Sequence, residues 1–247
     1  YEICACLVGS EMCIRDRGSR DIINEAFRVL RTNLEFMLDA KIENKASVTL
    51  FTSFNPGSGK TFLTMNTAAT FAMKGKRILV IDGDLRRGSA SAYLGSQHKG
   101  LSDYLGKRES CLDALVQENP DIPGFFLLPA GTIPPNPTEL LAEPLFKETI
   151  EQLRGHYDYI LIDCPPIDIV ADTQIIEKLA DRTVFVVRAG LLERDMLSEL
   201  QRMYDEKRFK NMALLLNGTE GGGNRYGYRY GYKYGYKYGY GSKNYYK

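Results

Sequence analysis

The sequence predicts an α/β domain: a doubly wound parallel sheet flanked by helices. Two observations predict it. Short, near-continuous apolar runs recur along the chain, RILVID (77–82), YDYILID (157–163) and RTVFVVR (182–188) among them. Such runs suit parallel strands covered on both faces. Stretches of helical periodicity alternate with them, and that alternation implies crossovers into one parallel sheet.

The opening YEICACLVGSEMCIRDR has no helical or strand periodicity and lacks the basic-then-apolar layout of a signal peptide. Residues 1–18 are therefore read as a leader outside the fold, non-native or disordered. From Ser19 to Asp39, the residues Ile23, Phe27, Leu30, Leu34 and Leu38 recur at three- and four-residue steps, which is an amphipathic helix. SVTLFTS (47–53) is a β-branched strand running into a glycine-rich turn. A helix follows from Lys60 to about Lys74, stopped by Gly75. RILVID, FFLLPA (125–130), YDYILID, RTVFVVR and MALLLN (212–217) supply the remaining strands. Helical patterns near 137–153, 173–180 and 193–207 separate the later ones. The folded domain is expected over 19–220. Residues 221–247 turn abruptly to Gly, Tyr and basic side chains, which cannot bury enough aliphatic surface to fold, so they read as a flexible tail.

The 247 residues, 44% of them hydrophobic, suit one good-sized domain. No stretch approaches the ~20 apolar residues of a membrane span. Five cysteines (Cys4, Cys6, Cys13, Cys111, Cys164) are an odd count without zinc-ligand spacing, as in a reduced, cytosolic protein. The net charge of +1 hides an asymmetry. Residues 221–247 carry six Lys/Arg and no acid, which leaves −5 on the rest.

FNPGSGKTF (54–62) sits between a strand and a helix. In such a loop, successive backbone amides and the helix N-terminus surround phosphate oxygens. Pro56, Gly57, Ser58, Gly59, Lys60, Thr61 and Phe62 form the cradle. Lys60 can reach the β/γ-phosphates, and the Thr61 hydroxyl can ligate Mg²⁺. Phe54 stands where such loops usually begin with glycine. VIDGDLRR (80–87) puts Asp82 and Asp84 just past one strand, and LIDCPP (161–166) ends another at Asp163. In an open parallel sheet the ligand crevice lies beyond those carboxyl ends. Three carboxylates there can hold a metal, and one can accept the proton of an incoming nucleophile.

The deviant phosphate loop, the hhhDxD strand and the hhhD strand resemble the MinD/ParA-like P-loop ATPases. Those partitioning ATPases usually carry a lysine inside the loop, where Asn55 stands here. That absence, with DLRRG (84–88), PPNPTELL (134–141) and IDCPP (162–166), resembles the bacterial tyrosine kinases (BY-kinases) of polysaccharide export over about residues 20–247. The resemblance implies a P-loop scaffold using ATP and Mg²⁺. Lys60 and Thr61 would handle phosphate and metal, with Asp84 and Asp163 holding hydrated Mg²⁺. Asp82 is the preferred base, its role exchangeable with that of Asp84. Arg87 would touch phosphate, and Asn217 corresponds to a position that contacts adenine. Glu25, Arg28 and Arg31 match an E-x-x-R-x-x-R helix motif associated with packing between subunits of a ring, an octamer being one size. Further implied partners are a membrane-spanning chain-length regulator, fused or separate, and a tyrosine phosphatase. The expected location is the cytoplasmic face of the cell membrane.

The tail completes the resemblance. Arg/Lys-Tyr-Gly-Tyr repeats four times from Arg225 to Tyr240. Ten of 16 tyrosines lie between Tyr226 and Tyr246: Tyr226, Tyr228, Tyr230, Tyr232, Tyr234, Tyr236, Tyr238, Tyr240, Tyr245 and Tyr246. In that family such tyrosines are phosphorylated by a neighbouring subunit. Glycine gives the flexibility to reach a crevice, tandem copies raise local concentration, and basic neighbours steer toward acids. The rival reading is a ParA-like ATPase with water as acceptor and a tail that stacks on single-stranded nucleic acid. With a kinase-like site upstream, no nucleic acid is expected.

Overall fold

The computed structural model describes residues 2–4, 22–37, 45–94, 99–167 and 171–219. In chain order these form β1 (Glu2–Cys4), α1 (Ile22–Met37), β2 (Ser47–Thr52), α2 (Lys60–Met73), β3 (Ile78–Asp82), α3 (Leu101–Leu105), β4 (Gln117–Glu118), β5 (Phe125–Leu128), α4 (Pro137–Ala142) and α5 (Pro144–Leu153). They continue with β6 (Tyr159–Asp163), α6 (Asp172–Glu177), β7 (Arg182–Arg188), α7 (Met196–Asp205) and β8 (Met212–Asn217). The tyrosine tail, with its ten phosphorylation candidates, lies outside the described residues. Among those residues, no helix is long and apolar enough to cross a membrane.

One sheet runs β1-β8-β7-β2-β6-β3-β5-β4. Every pairing is parallel except β4 with β5, so the expected parallel sheet carries one antiparallel edge. The helical stretch expected over 137–153 is two helices. Pro144 cannot continue α4, and it opens α5 at N1 instead, where its missing N–H costs nothing. The short α3, β4 and a 3₁₀ turn at Ser91–Leu94 are too brief to leave a periodicity. Residues 2–4, left outside the fold by the sequence reading, pair with Leu214–Leu216 of β8.

Alternation along the strands sorts the core into two faces. Ile78 and Val80 of β3 and Leu161 of β6 pack with α1 and α2, around Phe27, Leu63 and Phe71. Leu79, Ile81, Ile160 and Ile162 pack on the other face with Phe146, Ile150 and Leu101. Since successive side chains of a strand point to opposite faces, Asp82 and Asp163 fall on the α2 face. By the same parity Arg188 (after Val184 and Val186) and Asn217 (after Leu215) fall there too. The end of the sheet is thereby equipped on one side only, the side on which α2 begins.

At the opposite end, Arg154 fastens three segments. Its guanidinium donates to Ala46 O (2.8 Å), Leu179 O (2.9 Å) and both carboxylate oxygens of Asp181 (2.6 and 3.1 Å). The amide of Val48 donates to Asp181 as well, at 2.8 Å. Arg154→Met leaves this half-buried carboxylate with the Val48 amide alone and takes the guanidinium from two carbonyls. It is expected to cost about 2–4 kcal/mol in urea unfolding. A loss below about 0.5 kcal/mol, the size of an ordinary surface change, would make the network incidental.

Candidate active site

The loop between β2 and α2 is shaped by its own side chains. Asn55 O accepts from both Ser53 Oγ and Ser58 Oγ, at 2.8 Å each. Gly57 and Gly59 have φ of +76° and +90°, a region that disfavours any side chain. At Gly59 a Cβ would also lie 2.3 Å from Asn217 Nδ2. Phe54 turns away from the loop and is buried edge-on to Phe185, ring centroids 4.9 Å apart. The residue that departs from the usual glycine is thus a core residue, and its size does not reach the cradle. Ser58 and Phe62 offer only their backbone, since Ser58 Oγ is spent on Asn55 and the Phe62 ring packs against Phe27.

A cavity of about 210 Å³ opens above the loop. Gly57, Gly59, Lys60 and Thr61 line one wall, and Asp84, Arg87 and Asp163 another. Thr61 Oγ1 donates to Asp163 Oδ2 at 2.6 Å. Asp163 Oδ1 is buried with no partner among the described residues. The β3–β6 register sets Asp82 directly beside Asp163. Burial, with the neighbouring Asp82 charge, pushes the Asp163 carboxyl up to about 7. Burial likewise raises Asp82 to about 6, opposed by its hydrogen bonds from Ser91. Burial lowers Lys60 against the pull of Asp163 and Asp84.

The structure separates the two acids of the DGD segment. Asp82 is fully buried and outside the cavity lining. Its Oδ2 accepts from Ser91 N (2.7 Å) and Ser91 Oγ (2.6 Å), and its Oδ1 from Asp84 N (3.2 Å). Asp82, the preferred base of the sequence reading, is thus held by three donors behind the cavity wall. Asp84 faces the cavity, one oxygen accepting the amides of Arg86 (3.2 Å) and Arg87 (3.1 Å).

The two arginines also part. Arg86 Nε donates to the buried Asp172 at 3.0 Å and its Nη2 to Thr138 Oγ1 at 3.0 Å. Arg87 is exposed on the rim, with no side-chain partner among the described residues. Ser91, Asp172 and Thr138 escaped the sequence reading because their roles depend on side chains reaching across the fold. Only Thr138 had a signal, its place in PPNPTELL.

Asn217 Nδ2 donates to Ser58 O at 2.9 Å, so this residue supports the loop from beneath. Its Oδ1 is buried and unpartnered among the described residues, an acceptor still open to a ligand. Glu25, Arg28 and Arg31 of the helix motif do not all face outward. Arg28 pairs with Glu25 at 3.0 Å on the outside, whereas Arg31 reaches Thr70 O of α2 at 3.2 Å.

Among the described residues, no set of three or more His, Cys, Asp or Glu forms a metal cage. The site nevertheless fits Mg²⁺, which keeps its waters and takes one or two carboxylates beside substrate phosphates. The orphaned Asp163 Oδ1 and the all-oxygen set of Thr61, Asp84 and Asp163 suit a hard cation.

Two raised carboxyls make the nucleotide-free protein pH-sensitive. Folding holds their protons more tightly than the unfolded chain does, so stability falls as pH rises from about 4 to about 7. Asp163→Asn removes the larger part and keeps an acceptor for Thr61. Its thermal midpoint is expected to exceed wild type by roughly 5 °C at pH 8 and by much less at pH 5. An equal difference at both pH values would refute ionic strain at Asp163.

The family model of the AAA domain matches residues 47–208. Tyrosine-protein kinase YwqD of Bacillus subtilis is 33% identical over 202 residues, covering 81% of this chain and 83% of its own. Tyrosine-protein kinase etk of Escherichia coli is 33% identical over 196 residues, 79% of this chain but 26% of its own length. The chain therefore spans nearly all of one relative and about a quarter of the other. The solved kinase domain of Escherichia coli ETK superposes with a TM-score of 0.74 at 33% identity, covering 85% of this chain and 82% of that one. MinD of Pyrococcus horikoshii, solved with Mg-ADP, shares the fold, with a TM-score of 0.57 at 24% identity over 69% of this chain and 70% of its own. A phosphate loop with a threonine tied to a strand-end aspartate, on a sheet shared with these kinases, places the chain in the bacterial tyrosine-protein kinase family, on the P-loop ATPase scaffold.

Proposed function

We propose that this domain transfers the γ-phosphoryl group of ATP to tyrosines of the C-terminal cluster of a neighbouring copy. The observation that carries the reading is Thr61 hydrogen-bonded to Asp163 beside Lys60 and Asp84 in one cavity. The loop amides and Lys60 bind and orient the β/γ-phosphates. Thr61, Asp84 and Asp163 would hold Mg²⁺, which neutralises charge developing on those phosphates. The phenol oxygen bonds to Pγ as the Pγ–O bond to the leaving ADP breaks. With Asp84 on the metal, Asp82 would take the phenol proton, and in the exchanged assignment Asp84, which lines the cavity, would take it instead. Arg87, exposed on the rim, is placed to meet transferred charge.

Each phosphate adds about −1.5 to −2 charges, so ten of them convert the +6 tail into a strongly anionic one. Repulsion between such tails would loosen a ring, coupling phosphorylation to assembly and thereby to polysaccharide export. A membrane-spanning regulator, separate or within a longer chain, would hold the domain at the cytoplasmic face of the membrane. Relatives such as etk, four times longer than the matched part, support that arrangement. A phosphatase would reset the tail.

Two experiments test the reading. A Lys60→Met chain with an intact tail should gain phosphotyrosine when mixed with MgATP and an active chain lacking 221–247. If the mixture stays unlabelled while full-length enzyme labels itself, transfer runs within one chain. If even wild type releases phosphate without phosphotyrosine, water is the acceptor and the ATPase rival gains the case. For assembly, Glu25→Ala with Arg28→Ala should lower the oligomer mass of unphosphorylated protein in light scattering. Each exposed pair contributes only ~0–1 kcal/mol, but a closed ring repeats the loss at every interface. Unchanged mass would make that outer pair a solvated face.

A further inference from the structure

A phosphate loop binds through its backbone amides, which requires its carbonyls to be held the other way. A trans peptide is planar, with the C=O of one residue opposite the N–H of the next. Fixing a carbonyl therefore aims the following amide. Arg188, the last residue of β7, donates from Nη1 to Gly57 O at 2.7 Å. Asn217, the last residue of β8, donates to Ser58 O at 2.9 Å. Two consecutive peptide planes are thus tied down toward β7 and β8. Their amides, of Ser58 and Gly59, are turned to the other side, where Gly57 and Gly59 border the cavity. The Arg188 stem lies along Gly218, whose φ is +69° and where a Cβ would come within 3.3 Å of Arg188 Cγ. The carbonyl of Asn217 accepts the amide of Ala189 at 2.8 Å, joining the two strand ends that bear these donors.

We propose that Arg188 is a positioning residue for phosphate binding, acting through the carbonyl of Gly57. This rests on the nucleotide reading above and says how its cradle is set before ligand arrives. Gly57 is bordered by Pro56 and Ser58 in a loop with few side chains to restrain it. Without Arg188 its peptide is free to turn, and each ligand must then order it at its own expense. The charged guanidinium makes a stronger tie than a neutral donor, and it adds a positive field beside the phosphates. Arg188 sits on an exposed strand end, so its loss leaves the core intact.

The test is calorimetric titration of the full chain with ADP and, separately, adenosine. Arg188→Met should weaken ADP binding about tenfold, leave adenosine within about twofold, and leave the ligand-free thermal midpoint within about 2 °C. Arg188→Lys, which keeps a donor of similar reach, should recover most of the ADP affinity. The Met defect should persist at 0.5 M NaCl, where the Debye length is only about 4 Å. Equal losses for ADP and adenosine would put Arg188 on the nucleoside and overturn the proposal. A defect that vanishes in salt would reduce Arg188 to a background charge, which also overturns it. Failure of wild type to bind ADP would remove the nucleotide reading and this one with it. Wild-type binding with an unaffected Arg188→Met removes this one alone.

Discussion

Asp82 and Asp163 end adjacent parallel strands at the same register, side by side and buried on the face where α2 begins. Burial raises both, Asp82 to about 6 and Asp163 to about 7, and the neighbouring Asp82 charge adds to the rise at Asp163. The surroundings answer this strain. Ser91 gives Asp82 two hydrogen bonds, Thr61 gives Asp163 one, and Lys60 lies close enough to favour the ionised form of Asp163. One carboxylate oxygen is left over, the buried Oδ1 of Asp163. That buried, unpartnered oxygen suits a hard cation.

Much of this was legible because strand parity is a sequence property. Once RILVID and YDYILID are strands, their final aspartates share a face with every second residue before them, and in the structure that face is the one covered by α2. The same rule reaches Arg188 and Asn217. Of the two, the sequence singles out only Asn217, because Arg188 belongs to no motif there. What sequence could not distinguish was Asp82 from Asp84. Two residues apart around a glycine turn, they differ by which one Ser91 reaches, and Ser91 lies on a 3₁₀ turn too short to show a period. The contact made by Arg31 was hidden for a similar reason. Spacing along α1 places Arg28 and Arg31 together, but Thr70 O on α2 captures the second.

The departures from the usual phosphate loop are settled by packing. Phe54 joins Phe185, Phe209 and Leu200 in a third core cluster, beneath α7. A glycine there would empty part of that cluster, and large-to-small changes of buried aromatics cost about 3–5 kcal/mol. Asn55 is held by two hydroxyls on its carbonyl. Pro56 next to it has no N–H, so the outward carbonyl of Asn55 leaves no amide to satisfy. Each odd residue of the loop thus answers a local requirement while the amides from Gly57 onward stay available.

The loop is also divided across the sheet. β2 feeds it from the middle, with β6 and β3 on one side and β7 and β8 on the other. The first side ends in acceptors, and there the loop offers a hydroxyl, Thr61 to Asp163. The second ends in donors, and there the loop offers carbonyls, Gly57 to Arg188 and Ser58 to Asn217. Reversing either side would set like against like at hydrogen-bond distance. The division leaves the amides of the loop facing neither side, toward the cavity. An anion is then met by backbone donors already in place, and the acids beyond Thr61 remain for a cation. The polarity of the site follows from which strand ends carry acids and which carry amides or guanidinium, a pattern written in four residues of equal parity.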